Sequence, residues 1–132
     1  MGVGMLIISH EGVGEALLKA VSAVLGHCPL DAHCMAIPMG CQPEDMFNDA
    51  KKMLQQLDSG EGVLVMTDIY GSTPANIACG LMEKTGVVVV SGVNIPMLMR
   101  VLNYPSLSLE ELAEKAVSGG KEGIMDCRLH QH

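Results

Sequence analysis

A chain of 132 residues with 48% hydrophobic content is the size of one ordinary domain, and residues 1–132 read as one, with enough apolar sequence to bury a core unaided by staples. A formal net charge of -7, with Lys and Arg unclustered, excludes a nucleic-acid surface. No apolar run reaches the ~18 residues of a membrane span, and the apolar start lacks the basic residues and cleavage site of a leader, so no membrane insertion is expected.

Cys28, Cys34, Cys41, Cys79 and Cys127 are odd in number and without CxxC spacing, which suits a reducing, cytoplasmic setting. His27-Cys28, His33-Cys34 and Cys41 match no common zinc pattern, so neither a metal nor another cofactor is expected.

Val3 to Ser9 is a short apolar run bounded by glycine, the pattern of a strand buried on both faces. Val13, Ala16, Leu17, Ala20, Val21, Val24 and Leu25 then recur at helical spacing and Gly26 stops the helix. Ala32 to Ile37 reads as a second strand, and Pro38 to Pro43 as a loop before a helix through Phe47, Ala50, Met53, Leu54 and Leu57.

Gly62 to Thr67 is a third buried strand, followed by the polar loop from Asp68 to Thr73. Thr73 has the character of an N-cap with Pro74 at the first helical position, and the helix runs to about Lys84. Val87 to Val90 is a fourth strand; Gly92, Asn94 and Pro96 open a helix toward Leu102. Ser108 and Glu111 form a capping box for a last helix expected to end at Gly119-Gly120. Ile124 to Leu129 reads as a final, more polar edge strand.

Strands alternating with helices predict an α/β fold, an open, mostly parallel sheet covered by helices on both faces. In such sheets ligands bind beyond the carboxyl ends of the strands, where strand order reverses. The residues at those ends are His10, Pro38 to Gln42, Asp68 to Thr73 and Gly92 to Asn94.

His10 follows the first strand and precedes Gly12 and a helix start, a rigid place for a functional imidazole or simply for a polar cap. In an order 2-1-3-4, Asp68 at the end of the third strand falls beside it. A carboxylate bound to one imidazole nitrogen fixes the tautomer and leaves the other nitrogen as nucleophile. Asp68 before a glycine-containing loop equally suits an ordinary turn residue. Ser72 and Thr73 offer hydroxyl and backbone N–H groups at a helix N-terminus, which favours an anion such as a phosphoryl group and also suits plain capping.

Three segments carry a resemblance: the strand ending in Ser9-His10, VLVMTDIYGSTPAN from Val63 to Asn76, and SGVNIPML from Ser91 to Leu98, with GKEG at Gly120 to Gly123 in agreement. Together they resemble the mannose-type IIA proteins of the bacterial phosphoenolpyruvate-dependent sugar phosphotransferase system over essentially the whole chain. The resemblance implies that His10 accepts phosphoryl from the histidine carrier HPr and donates it to a IIB (EIIB) protein or domain. It implies that Asp68 orients His10 and that Thr73 supplies a loop hydroxyl. It further implies a homodimer completed by an exchanged antiparallel edge strand, here Ile124 to Leu129.

The family loop often carries a tryptophan and a second glycine where this chain has Ile69-Tyr70-Gly71-Ser72. Two other functions stay open on sequence: a phosphorylated regulatory module with no transport output, and a dihydroxyacetone-kinase phosphotransfer subunit, which has a related domain.

Overall fold

Four short apolar segments lie side by side in the computed structural model, which describes residues 2–130. They are β1 (Gly4–His10), β2 (Ala32–Ile37), β3 (Val63–Thr67) and β4 (Val87–Ser91), all parallel, in the order β2-β1-β3-β4. The central strands β1 and β3 are buried almost throughout, as expected of strands covered on both faces.

The crossovers are α1 (Val13–Leu25), α2 (Pro43–Leu57) and α3 (Thr73–Gly80), the last followed by a 3-10 turn over Leu81–Glu83; α4 (Ile95–Leu102) and α5 (Leu109–Glu122) follow β4. Because side chains alternate along a strand, β1 feeds two cores. Met5 and Ile7 pack with Val21 of α1, Leu98 of α4 and Leu112 of α5, while Leu6 and Ile8 pack with Leu54 of α2 and Ile77 of α3.

Ser108 does cap α5: its hydroxyl accepts the Glu111 N–H and the Glu111 carboxylate accepts the Ser108 N–H. The helix does not stop at Gly119-Gly120, however, but continues to Glu122 with Gly123 as its C-cap. The glycines are there for contact with α4. A Cβ on Gly119 would overlap Cβ of Arg100, and one on Gly123 would overlap the Pro96 ring.

The N-cap of α3 is Ser72, with Thr73 and Pro74 as its first two residues, one position earlier than expected. Pro43 likewise opens α2 instead of closing the loop before it.

Ile124 to Leu129 is not an edge strand in this chain. Residues 124–126 are irregular and Cys127–His130 form a 3-10 turn. Local bonds meet the backbone's needs instead: the Ile124 N–H reaches the Lys121 carbonyl, the Leu129 N–H reaches that of Asp126, and the Asp126 carboxylate takes the Arg128 N–H. Among the described residues, no strand pairs with the outer edge of β4, and no helix is long and apolar enough to cross a membrane.

Candidate functional site

The β1–β3 pairing matches Ile8 with Thr67, so the chain leaves the two strands at His10 and Asp68 on the same end of the sheet. One oxygen, Asp68 Oδ2, accepts both the His10 main-chain N–H at 3.0 Å and a bond from His10 Nδ1 at 2.8 Å. The other oxygen, Oδ1, accepts the Ile69 N–H at 3.0 Å. The histidine side chain is 39% exposed and the carboxylate only 9%.

Burial pushes the Asp68 carboxyl upward, but the His10 amide, the His10 ring and the Ile69 amide outweigh it and hold the group below its ordinary value of 3.8. Asp68 is therefore an anion at neutral pH and can only accept. That assigns the proton to Nδ1 of the neutral ring and leaves the Nε2 lone pair unclaimed.

His10 opens onto a hollow of about 210 Å³ whose walls include Ile37, Pro38, Met39, Cys41 and Thr73. It sits beyond the ends of β1 and β2 and beside the first turn of α3, at the reversal of strand order. Thus His10, Asp68 and Thr73 come together. Ser72 does not line this hollow: its hydroxyl donates to the Ile69 carbonyl at 2.6 Å and closes the loop on itself.

Sequence reasoning missed the apolar surroundings. Met39 is 91% exposed on the wall of the hollow, and beside Asp68 the residues Ile69 and Tyr70 are 61% and 80% exposed. The only available signal was their place directly after strands.

Asn94 accepts the Met97 N–H at 2.9 Å and donates to the Gly120 carbonyl at 3.2 Å. The SGVNIPML and GKEG segments therefore brace α4 against α5 and do not line the hollow.

Two other features are poorer sites. His33 and Asp31 pair at 3.3 Å, but both are well exposed at the opposite end of the sheet. An apolar groove of about 540 Å³, larger than the hollow at His10, runs along β4 and α5 past Val88, Val90, Ala113 and Val117, with polar residues such as Glu114 and Ser118 at its walls but no histidine. Among the described residues, no three His, Cys, Asp or Glu side chains are grouped to hold a metal ion.

Residues 4–117 match the family model described as PTS system fructose IIA component. The chain is 32% identical over 127 residues to the PTS system mannose-specific EIIAB component of Escherichia coli (strain K12), an alignment covering 94% of this chain and 39% of that protein. It thus spans about two fifths of that relative's length. It is 24% identical over 132 residues to the PTS system fructose-specific EIIA component of Bacillus subtilis (strain 168), covering 97% of this chain and 88% of that one. In fold it is similar to the mannose/sorbose specific IIA subunit of the phosphotransferase system from Enterococcus faecalis, with a TM-score of 0.85 at 22% identity, covering 96% of this chain and 95% of that one.

Proposed function

The chain belongs to the PTS fructose IIA component family, and from that premise we propose that it is a phosphocarrier that takes a phosphoryl group onto His10 Nε2 and passes it to a partner protein. The observation that carries this reading is the 2.8 Å bond between Asp68 Oδ2 and His10 Nδ1, which makes Nε2 the free nucleophile.

The donor is a phosphohistidine on HPr and the acceptor is a IIB protein or domain. The Nε2 lone pair attacks phosphorus as the donor's P–N bond breaks, and the donor ring keeps that electron pair. His10 becomes positively charged while Nδ1–H stays bonded to Asp68, whose negative charge stabilises the cation without itself taking the proton. Transfer through a loose transition state asks little covalent chemistry of the protein beyond alignment and charge. Thr73, at the first turn of α3, lines the approach, and its hydroxyl and N–H at a helix N-terminus suit the phosphoryl oxygens. Met39, Ile69 and Tyr70 form an exposed apolar collar that suits docking of another protein's surface.

A homodimer accompanies this reading. The apolar groove along β4 and the exposed Ile124, Met125 and Leu129 of the same chain are complementary, so that the C-terminal segment of a second copy covers the groove. The five unpaired cysteines support a cytoplasmic location.

The test is incubation with phosphoenolpyruvate, enzyme I, HPr and candidate IIB proteins, following labelled phosphate. Acid-labile label that is lost in His10→Ala and chased onto a IIB protein is expected. Acid-stable label, or label that survives His10→Ala, overturns the reading. Light scattering on the full chain checks the dimer, and a monomer at micromolar concentration rejects it.

A further inference from the structure

Ser9 precedes His10 on β1, and the residue is 1% exposed. Its hydroxyl makes two bonds: it donates to the His10 carbonyl at 2.8 Å and accepts the Gly14 N–H at 2.9 Å.

Gly14 is the second residue of α1, where a helix leaves N–H groups without a partner. The N-cap residue, Gly12 at φ 86°, has no side chain to supply one. The helix also lies tight on the strand, since a Cβ on Gly14 would stand 2.8 Å from Ile7 Cγ2 and 3.0 Å from Ser9 Oγ. One buried hydroxyl therefore ties the end of β1 to the start of α1.

His10 is consequently held through both of its peptide groups. Asp68 binds its N–H and Ser9 binds its carbonyl. The direction of the Cα–Cβ bond, and with it the aim of the ring, is set by both. Releasing the carbonyl removes one of these two side-chain ties and leaves Asp68 and the pairing with Ile37 of β2 to hold the histidine.

We infer that Ser9 is a positioning residue for phosphoryl transfer, fixing the peptide after His10 so that Nε2 faces the incoming phosphorus in line. This rests on the reading of His10 as the phosphoryl acceptor. Transfer of this kind is governed by alignment, and small misplacements of a reacting group cost rate far more than binding. Ser9 itself is buried behind the strand and touches no partner.

The experiment compares the full-length parent chain with Ser9→Ala, Ser9→Thr and His10→Ala, phosphorylated by phospho-HPr over a range of HPr concentrations, with a thermal melt of each. Ser9→Ala is expected to lower the maximal transfer rate about tenfold with the half-saturating HPr concentration unchanged within about twofold, and Ser9→Thr, which keeps the hydroxyl, to recover most of the rate.

The inference is overturned by a folded Ser9→Ala chain that transfers at the parent rate, by a loss confined to the half-saturating concentration, or by a folded Ser9→Thr chain that recovers nothing. Should Ser9→Ala not fold, hydrogen exchange at the Gly14 amide of the parent decides. Strong protection, together with transfer by Ser9→Thr, supports the role, and exchange at the rate of an open amide rejects it. A silent His10→Ala beside a parent-like Ser9→Ala removes only the role of Ser9. Label retained in His10→Ala removes the acceptor reading and this inference with it.

Discussion

Asp68 Oδ2 binds the main-chain N–H and the ring Nδ1 of the same residue, His10, at 3.0 and 2.8 Å. A single carboxylate oxygen thus fixes the strand end and the tautomer together, and the transfer proposed at Nε2 depends on both.

Replacing Asp68 by Ala removes the bond to His10 and, under the proposed mechanism, the negative charge that offsets the cation formed on transfer. The expected loss in phosphoryl transfer is roughly 10² to 10⁴, with the chain still folded. Rapid-quench transfer from phospho-HPr measures it, and a normal rate in a folded Asp68→Ala chain rejects this role.

The depressed Asp68 pKa has a signed consequence for stability. A carboxyl whose folded value lies below its ordinary 3.8 adds stability that is fully present above that pH and is lost as pH falls through the folded value. The stability difference between the parent and Asp68→Asn is therefore expected to be constant from neutral pH down to about 5 and to shrink below that. Urea melts of both chains at several pH values check it, and a difference indifferent to acid contradicts it.

Thr73 lines the hollow at His10, whereas the Ser72 hydroxyl is committed to the Ile69 carbonyl. Thr73→Ala leaves the first-turn amides of α3 in place, so the expected cost is about 1 to 2 kcal/mol in transfer, well below that of losing Asp68. A transfer series run on both variants under one set of conditions orders them, and equal losses sink the distinction.

The parallel sheet was legible because four apolar runs alternate with helical periodicity, and the site because two polar residues, His10 and Asp68, end two runs that the assumed order 2-1-3-4 makes neighbours. What escaped depends on contacts that sequence does not display. Gly119-Gly120 carries the sign of a helix stop, but the helix runs on to Glu122 and the pair lies where Arg100 and Met97 of α4 approach closely. Ile124 to Leu129 alternates like a strand, yet local bonds around Asp126 give it another use within one chain. Met39 has only its place after a strand to mark it, and its apolar side chain becomes notable once the fold sets it on the wall of the hollow at His10.

Burial, then the charge of Glu15 and then the neighbouring Cys28 push the Cys34 thiol up to about 11. Little thiolate forms there at pH 8, while Cys127 is exposed. Brief treatment with iodoacetamide at that pH is expected to modify Cys127 with Cys34 lagging by on the order of 10²-fold, read by mass spectrometry of peptides. Cys34 reacting as fast as Cys127 contradicts the placement of β2.

Gly119→Ala sets two effects against each other. Intrinsic helix propensity favours alanine by about 1 kcal/mol. Against that, the added Cβ would overlap Cβ of Arg100 on α4, and a Cβ so close to the backbone has no freedom to swing away. Overpacking of this kind costs about 1 to 3 kcal/mol, so the net effect is expected to be destabilising. Gly120→Ala provides the contrast. Its Cβ would meet Met97 at the far methyl, 3.0 Å away, and a methionine end can move aside. That variant is expected to stay within about 1 kcal/mol of the parent, because propensity and contact nearly cancel. Urea melts of the two single variants give the comparison. Neither substitution reaches the hollow at His10, so transfer by each folded variant is expected to match the parent. If Gly119→Ala is as stable as Gly120→Ala, the close approach of α5 to α4 at Arg100 is not what keeps glycine at position 119.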